Sequence, residues 1–226
     1  MLGKVAAIAA VVTLLGGVGA LSGEPAVSVK NRSQLSQAVP KGGASLDDAL
    51  RLEKALLVND YGGFVELLRD GVDPNALGSH GYAAVHIAAQ HQNTRYLEKV
   101  LEHGGNPNLP AKRLNRSPLF NALDSRRPKN RDLLIKAGAN IEYEDAMRKR
   151  PLKHAADIMD SESVVHFLEL GADPSAVDDL GNTFQSSFFR PDPKLLHWNA
   201  RRQYRKVIRI LDERGVALDP KADRYR

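Results

Sequence analysis

Cysteine is absent from all 226 residues of the chain, and aromatic residues make up only 6% of them. Without cysteine the protein has no disulfide bond, no thiolate nucleophile, no cysteine-ligated metal and no cysteine that could carry a lipid anchor. The small number of aromatic residues predicts a core built mainly from Leu, Val, Ile and Ala. Such a core is typical of stacked helices, whereas sandwiches and barrels generally use more aromatic side chains.

The chain also lacks a strong charge imbalance, since its formal net charge is +5 at pH 7 and the sign of the charge alternates along most of its length. Nucleic-acid binding is usually accompanied by a concentrated basic stripe, often with interleaved aromatic residues. One basic cluster recurs at helical spacing near the C-terminus: Arg201, Arg202, Arg205, Lys206 and Arg209. We interpret it as the solvated outer face of an amphipathic helix, so no nucleic-acid partner is expected.

No acidic residue precedes Glu24, and the 17 residues from Val5 to Leu21 contain no charge. Lys4, this apolar run and the small residues Val18-Gly19-Ala20 are typical of a secretory signal cleaved after Ala20. The run is also just long enough to span a bilayer. Residues 1–21 are therefore predicted to be a signal peptide or an N-terminal membrane anchor, with a buried helix of the domain as the alternative.

The basic residue before the apolar run favours a cytoplasmic N-terminus, so the rest of the chain is expected in the periplasm. There it would be soluble or tethered to the inner membrane by the N-terminal segment. Residues 22–43 mix Ser, Gly, Pro, Lys and Gln without a sustained period, which predicts a flexible linker. Residues 44–226 are left as the folded domain.

Four passages of this domain end in similar turns, and their leading glycines are Gly71, Gly104, Gly138 and Gly171. The spacings of 33, 34 and 33 residues indicate repeats that stack on one another. A second mark keeps the same register, because a small or apolar residue lies 15 residues before each glycine: Leu56, Ala89, Leu123 and Ala156. Within a period, a short helix of small residues precedes an amphipathic helix that the glycine ends.

The segment Gly81-Tyr82-Ala83-Ala84-Val85-His86-Ile87-Ala88-Ala89 resembles the opening of an ankyrin repeat, whose pattern is Gly-x-Thr-Pro-Leu-His-x-Ala-Ala. Residues 117–122 and 150–156 match the same window. No unit keeps the whole Thr-Pro-Leu-His set. The resemblance implies an all-α ankyrin-repeat solenoid of about five helix-turn-helix units with short β-hairpin-like loops. The first and last units are caps, and the last holds an insertion around residues 190–199.

No arrangement typical of catalysis or metal binding occurs in the sequence. His86 occupies a position that hydrogen-bonds within and between ankyrin-like units, and His154 lies one position later in its own unit. No Gly-rich phosphate loop, nucleophile elbow or zinc spacing is found. The sequence therefore predicts a protein that is not an enzyme and that has no cofactor and no metal.

The resemblance places a partner on the hairpin tips, residues 77–82, 110–115, 143–149 and 176–182, and on the exposed ends of the first helices. Aromatic and arginine side chains supply much of the energy of protein interfaces. The candidate contacts are Tyr82, His91, Lys112, Arg113, Tyr143, Arg148, Lys149 and Asp157. Trp198, the only tryptophan, is expected either to plug the last cap or to be an exposed anchor.

The function implied by the resemblance is a monomeric protein-binding module that acts outside the cytoplasm. Exported bacterial ankyrin-repeat proteins include immunity proteins, which neutralise secreted toxic effectors. The alternative is a periplasmic scaffold that supports an envelope or stress-defence enzyme. The sequence leaves the partner itself open, because repeat tips vary freely while the repeat frame stays constant.

Overall fold

A computed structural model describes residues 46–226 of the chain. This part contains α-helices and 3₁₀ turns but no β-strand, so the predicted all-α fold is confirmed for the described residues. The predicted signal or anchor at 1–21 and the predicted linker at 22–43 lie outside them. The helices are α1 (Leu46–Leu57), α2 (Tyr61–Arg69), α3 (Ala84–Gln90), α4 (Thr94–Glu102), α5 (Pro118–Asp124), α6 (Pro128–Lys136), α7 (Pro151–Asp157), α8 (Ser161–Glu169), α9 (Gln185–Phe188) and α10 (Trp198–Glu213).

The helices pack as consecutive pairs, and each pair contacts the next. The first helices of the pairs form one row, in which α1 packs on α3, α3 on α5, α5 on α7 and α7 on α9. The second helices form another row, in which α2 packs on α4, α4 on α6 and α8 on α10. Small residues such as Ala88, Ala89 and Ala155 are fully buried in the first row, where they allow the helix axes to approach closely.

The turns that follow the second helices contain the repeated glycines. Gly71, Gly104, Gly138 and Gly171 have φ values between +85° and +95°, the left-handed region that glycine enters at the lowest cost. Each glycine satisfies a helix end, as when the Gly138 amide donates to the Ile135 carbonyl at 3.0 Å. These turns set the repeat period that the sequence displays.

A ladder of side-chain hydrogen bonds joins each glycine turn to the next. The Asn75 side chain donates to the Gly104 carbonyl at 2.9 Å and accepts from the Asn106 amide at 2.7 Å. Asn108, 33 residues later, makes the same two bonds with Gly138 and Asn140. These bonds satisfy backbone groups that the helices leave unpaired, which explains the asparagine in the turn motif.

The last pair has a different core from the others, because it is filled with aromatic rings. Three of the six phenylalanines, Phe184, Phe188 and Phe189, are almost completely buried there. Tyr204 of α10 stacks on Phe188 with ring centroids 4.1 Å apart and on Tyr225 at 4.6 Å. The aliphatic core predicted from composition therefore describes the first four pairs better than the last one.

The predicted insertion around residues 190–199 corresponds to the connection between α9 and α10. It contains a 3₁₀ turn at Pro193–Leu195, and the Tyr225 hydroxyl donates to the Pro191 carbonyl. Part of the extra length also lies in α10, which has 16 residues where α8 has nine. Trp198 begins α10 with 66% of its surface exposed, so the idea that it plugs the cap is wrong.

Candidate functional site

The predicted tips are tight turns closed by hairpin-type hydrogen bonds, although no strand forms in the described part. In the third tip the Asp145 amide donates to the Lys149 carbonyl at 3.0 Å, and the Asp145 carboxylate accepts from the Met147 and Lys149 amides. Asp178 makes the same set of bonds in the fourth tip, with Leu180 and Asn182. A buried aspartate therefore holds each of these tips in shape from inside.

Backbone hydrogen bonds also join the tips side by side. The Lys112 amide donates to the Gly81 carbonyl at 2.9 Å. The Ala146 amide donates to the Leu114 carbonyl at 2.8 Å, and the Asp179 amide to the Met147 carbonyl at 3.1 Å. Four tips thereby form one continuous row that spans the described repeats.

Three of the predicted contacts are cations that point to solvent on this row. Lys112 and Arg113 are exposed and have no carboxylate partner among residues 46–226. Arg148 is exposed as well, and its closest carboxylate is Glu144 at 3.8 Å. The exposed apolar side chains Met147 and Leu180 lie on the third and fourth tips. We call these five residues, Lys112, Arg113, Met147, Arg148 and Leu180, the tip surface.

The two predicted tyrosines are only partly available. Tyr82 is half-buried and lies edge-on to His86, with ring centroids 5.7 Å apart. Tyr143 is half-buried beside Phe120, and burial raises the pKa of its hydroxyl. Both rings therefore pack against residues behind the tips and are only partly exposed.

His91 lies away from the tips, in the turn after α3. Its Nε2 atom is 2.9 Å from the Asn59 side chain of the preceding pair, and its Nδ1 atom accepts from the Asn93 amide. Its ring also packs on Tyr96, with centroids 4.5 Å apart. These contacts connect two pairs, and the structure does not bring His91 together with the tip surface.

Lys149 and Asp157 form an ion pair of 2.8 Å with each other, so neither is a free contact. Asp157 also accepts from the buried Lys153 at 2.5 Å and from the Ser187 hydroxyl at 2.6 Å. Burial raises the pKa of Asp157, but the hydrogen bonds from Lys149, Lys153 and Ser187 outweigh burial and lower it to about 2. Neither Lys153 nor Ser187 was predicted from the sequence as part of a site.

This network reaches the tips through Lys153, whose side chain is only 8% exposed. Its ammonium lies 3.6 Å from Asp178, the aspartate that shapes the fourth tip. It also donates to Ser187 at 3.2 Å. Because Lys153 acts as a donor to these neighbours, it is not placed to remove a proton from Ser187, and the group works as a structural clamp.

A second charged group lies one helix pair earlier, and it also joins the buried aspartate of a tip to side chains of neighbouring pairs. Arg116 donates to the buried carboxylate of Asp145 at 3.1 Å and reaches Asp124 at 3.4 Å. His154 of the next pair is 2.6 Å from Asp124. Burial raises the pKa of Asp124, but the hydrogen bond with His154 and the charges of His154 and Arg116 together outweigh burial, so the pKa lies below its usual value. Each clamp thus connects a tip to the helices of two pairs.

His86 is completely buried and bridges two pairs, as its position in the repeat predicted. Its Nδ1 atom accepts from the Ala83 amide at 3.2 Å, and its Nε2–H donates to the Leu109 carbonyl at 3.0 Å. Desolvation lowers the pKa of His86 to about 4, although two backbone hydrogen bonds partly oppose this shift. The imidazole is therefore neutral at physiological pH.

Acidification from pH 7 to pH 4 is expected to lower the free energy of unfolding by about 3 kcal/mol through His86. The unfolded imidazole binds its proton near pH 6.5 and the folded one only near pH 4, so between these values the unfolded state holds more protons. Stability therefore rises with pH across this window. Urea unfolding at several pH values measures the slope, which should be clearly smaller in His86→Gln and unchanged in the exposed-site variant His103→Gln. An unchanged slope in His86→Gln would contradict this assignment.

Two absences concern the described part alone. No group of three or more His, Cys, Asp or Glu side chains within residues 46–226 is placed to hold a metal ion. Over the same residues, no helix combines the length and the apolar character that crossing a membrane requires.

No family model matches the chain. Two curated proteins are similar to it. One is a putative palmitoyltransferase, ZDHHC13 of Danio rerio, which is 26% identical over 165 residues, 69% of this chain and 25% of that protein. The other is Protein PhlB of Serratia liquefaciens, which is 32% identical over 107 residues, 47% of each protein. The chain thus spans a quarter and about half of the lengths of these relatives.

The similarity to a putative palmitoyltransferase contradicts the expectation that this protein is not an enzyme, and that expectation is withdrawn. The expectation rested on the lack of a catalytic motif in the sequence. A missing motif is weak ground, because catalytic groups can come together from distant parts of a chain. The match covers a quarter of the relative, so it assigns no reaction to this chain.

Proposed function

We propose that residues 46–226 are an ankyrin-repeat solenoid that binds another protein through the tip surface. The observation that carries the proposal is the set of backbone hydrogen bonds between consecutive tips, from Lys112 to Gly81, Ala146 to Leu114 and Asp179 to Met147. These bonds hold the exposed side chains of four tips in fixed register. A rigid row loses little entropy when it binds, which favours recognition of a partner.

The partner segment we propose is acidic, with an apolar side chain beside its acids. Lys112, Arg113 and Arg148 give the second and third tips a positive surface, and Met147 and Leu180 add apolar area next to it. Arginine is suited to bidentate contacts with carboxylates, so a partner with exposed Asp or Glu residues would match it. We place this recognition outside the cytoplasm, on the strength of the predicted N-terminal segment.

The test is a pull-down with the full chain from native envelope and culture extracts, followed by mass spectrometry. Arg113→Glu combined with Arg148→Glu is expected to reduce capture of the specific partner at least about tenfold, since like charges facing each other in an interface cost several kcal/mol. Arg69→Glu combined with Lys136→Glu changes the net charge equally at exposed sites on α2 and α6, and should capture normally.

The identity of the captured protein separates two proposals for the role of the module. A toxic enzyme recovered from the culture extract would indicate an immunity protein. A resident envelope protein recovered in constant amount would indicate a scaffold. Capture that both charge-reversed variants retain equally would contradict binding through the tip surface.

A further inference from the structure

The positive charge of the chain is concentrated in its last 37 residues, which contain no residue of the tip surface. Residues 190–226 contain eleven of the 32 Lys and Arg residues and five of the 27 Asp and Glu residues. This segment therefore carries a formal charge of +6, and residues 1–189 carry −1. A surface so different from the rest of the protein favours an anionic ligand.

The outer face of α10 presents much of this charge in one stripe. Trp198, Arg202, Arg205 and Arg209 follow one another at spacings of four, three and four residues, which places them on the same side of the helix. All four are exposed, and the three arginines have no ion-pair partner within residues 46–226. The opposite side of α10, with Tyr204, Val207 and Leu211, is buried in the core, so the stripe is held rigidly outward.

A cleft of about 210 Å³ continues the positive surface beside this stripe. The cationic side chains that line it are Lys194, Arg201, Arg205, Arg224 and Arg226, together with Pro193 and the ring of Tyr225, and no carboxylate of the described chain lines it. Arg226 reaches Asp212 and Asp223 at 3.7 Å each, whereas Arg201 and Arg224 donate only to backbone carbonyls. Most of the charge around the cleft is therefore uncompensated.

Two apolar side chains project from the same region. Leu195 is 85% exposed and Trp198 is 66% exposed, and neither contributes to the core. Exposed tryptophan and leucine beside several Lys and Arg residues are the combination by which peripheral proteins bind anionic bilayers, since the apolar groups enter the headgroup layer and the cations face the phosphates. A nucleic acid would match the charge but would not account for the exposed leucine. An acidic protein with an apolar side chain is the competing ligand, and a poly-glutamate peptide separates it from a bilayer.

We propose that the face formed by Leu195, Trp198 and the arginines of α10 docks on the surface of an anionic phospholipid bilayer. This contact is independent of the tip surface and of any N-terminal anchor. It would hold the repeats against a membrane, with Leu195 and Trp198 in the headgroup layer. The positive cleft would receive lipid phosphate groups.

The experiment uses the fluorescence of Trp198, which is the only tryptophan and therefore reports on this face alone. The full chain is titrated with vesicles made of equal parts phosphatidylcholine and phosphatidylglycerol. The emission is expected to shift to shorter wavelength with these vesicles, to stay unchanged with phosphatidylcholine alone, and to return towards its starting value at high salt. An emission unmoved by the anionic vesicles, or shifted equally by both kinds, would overturn the proposal.

Arg202→Gln combined with Arg205→Gln should weaken vesicle binding about 25-fold, since each Lys or Arg near such a surface contributes about fivefold. Lys129→Gln combined with Lys136→Gln removes the same charge from exposed positions of α6 and should bind normally. Equal binding by both double variants would overturn the proposal. So would a poly-glutamate peptide that binds with the same arginine dependence while vesicles do not bind, because the ligand would then be an acidic protein.

Discussion

Asp157→Ala is expected to lower the free energy of unfolding by about 3–5 kcal/mol, the usual cost of removing one partner from a buried ion pair. The carboxylate accepts from Lys149, Lys153 and Ser187 at 2.8, 2.5 and 2.6 Å. Without it, the ammonium of Lys153 stays inside the protein with the Ser187 hydroxyl at 3.2 Å and one carboxylate, that of Asp178, at 3.6 Å. Urea denaturation followed by circular dichroism measures the loss.

The exposed pair Lys99–Glu102 provides a matched control. Its nitrogen–oxygen distance of 2.5 Å equals that of Lys153 and Asp157, but its side chains are 34% and 55% exposed. Solvent screens such a pair, so Glu102→Ala should leave the unfolding transition in place. If the two alanine variants unfolded at the same urea concentration, burial would not be the source of the strength of the clamp.

The contribution of Asp157 should also be measurable in the dependence of the free energy of unfolding on pH, at acidic pH. The pKa of Asp157 is lowered from 3.8 to about 2 in the folded state, so its stabilisation is fully present above pH 3.8. It is lost as the pH falls from 3.8 towards 2, because the folded carboxylate then takes up its proton. This window lies below that of His86, and Asp157→Ala should remove this part of the profile alone.

Tyr204→Ala is expected to lower the free energy of unfolding by about 3–5 kcal/mol, the range for truncating a large buried aromatic side chain. The ring is 3% exposed and is stacked between Phe188 and Tyr225, so alanine would leave a cavity in the centre of the last cap. Repeat proteins depend on their terminal units to cover the stack. Thermal and urea unfolding measure the effect.

Trp198→Ala removes an even larger side chain from the same helix and should leave stability unchanged, since Trp198 is mostly exposed. Tyr204→Phe keeps the stacked ring and should also be close to the parent protein. A loss in Trp198→Ala as large as that in Tyr204→Ala would contradict this account of the cap. An unaltered Tyr204→Ala would show that the aromatic cluster does not stabilise the stack.

Local rules were sufficient for much of the fold. The glycines at a period of 33 or 34 residues marked the helix ends correctly, because a left-handed turn depends mainly on the residue that adopts it. The bridging role of His86 could be predicted from its place in the repeat. The same place is taken by Lys153, 18 residues before its glycine, where an aliphatic or neutral residue is the usual choice for a buried site. A lysine at this buried position was the feature of the sequence from which the clamp could have been predicted.

The candidate site was less accessible from sequence. Three predicted contacts are exposed: Lys112, Arg113 and Arg148. Two others, Lys149 and Asp157, form an ion pair with each other and are not available to a partner. Which charged side chain is free depends on neighbours from other pairs, and Ser187 lies 30 residues from Asp157. Spacing within one repeat carries no information on such partners.

The sequence by itself determined the helical repeats, their period and the turns between them, because these depend on interactions over a few residues. Only the tertiary structure decided that Trp198 is exposed while Tyr204 is buried, although both lie on α10. It alone also showed which charges pair across the helix rows and which remain free for a ligand. Those outcomes depend on how the rows of helices pack, and packing brings together residues whose separation in the chain no local pattern records.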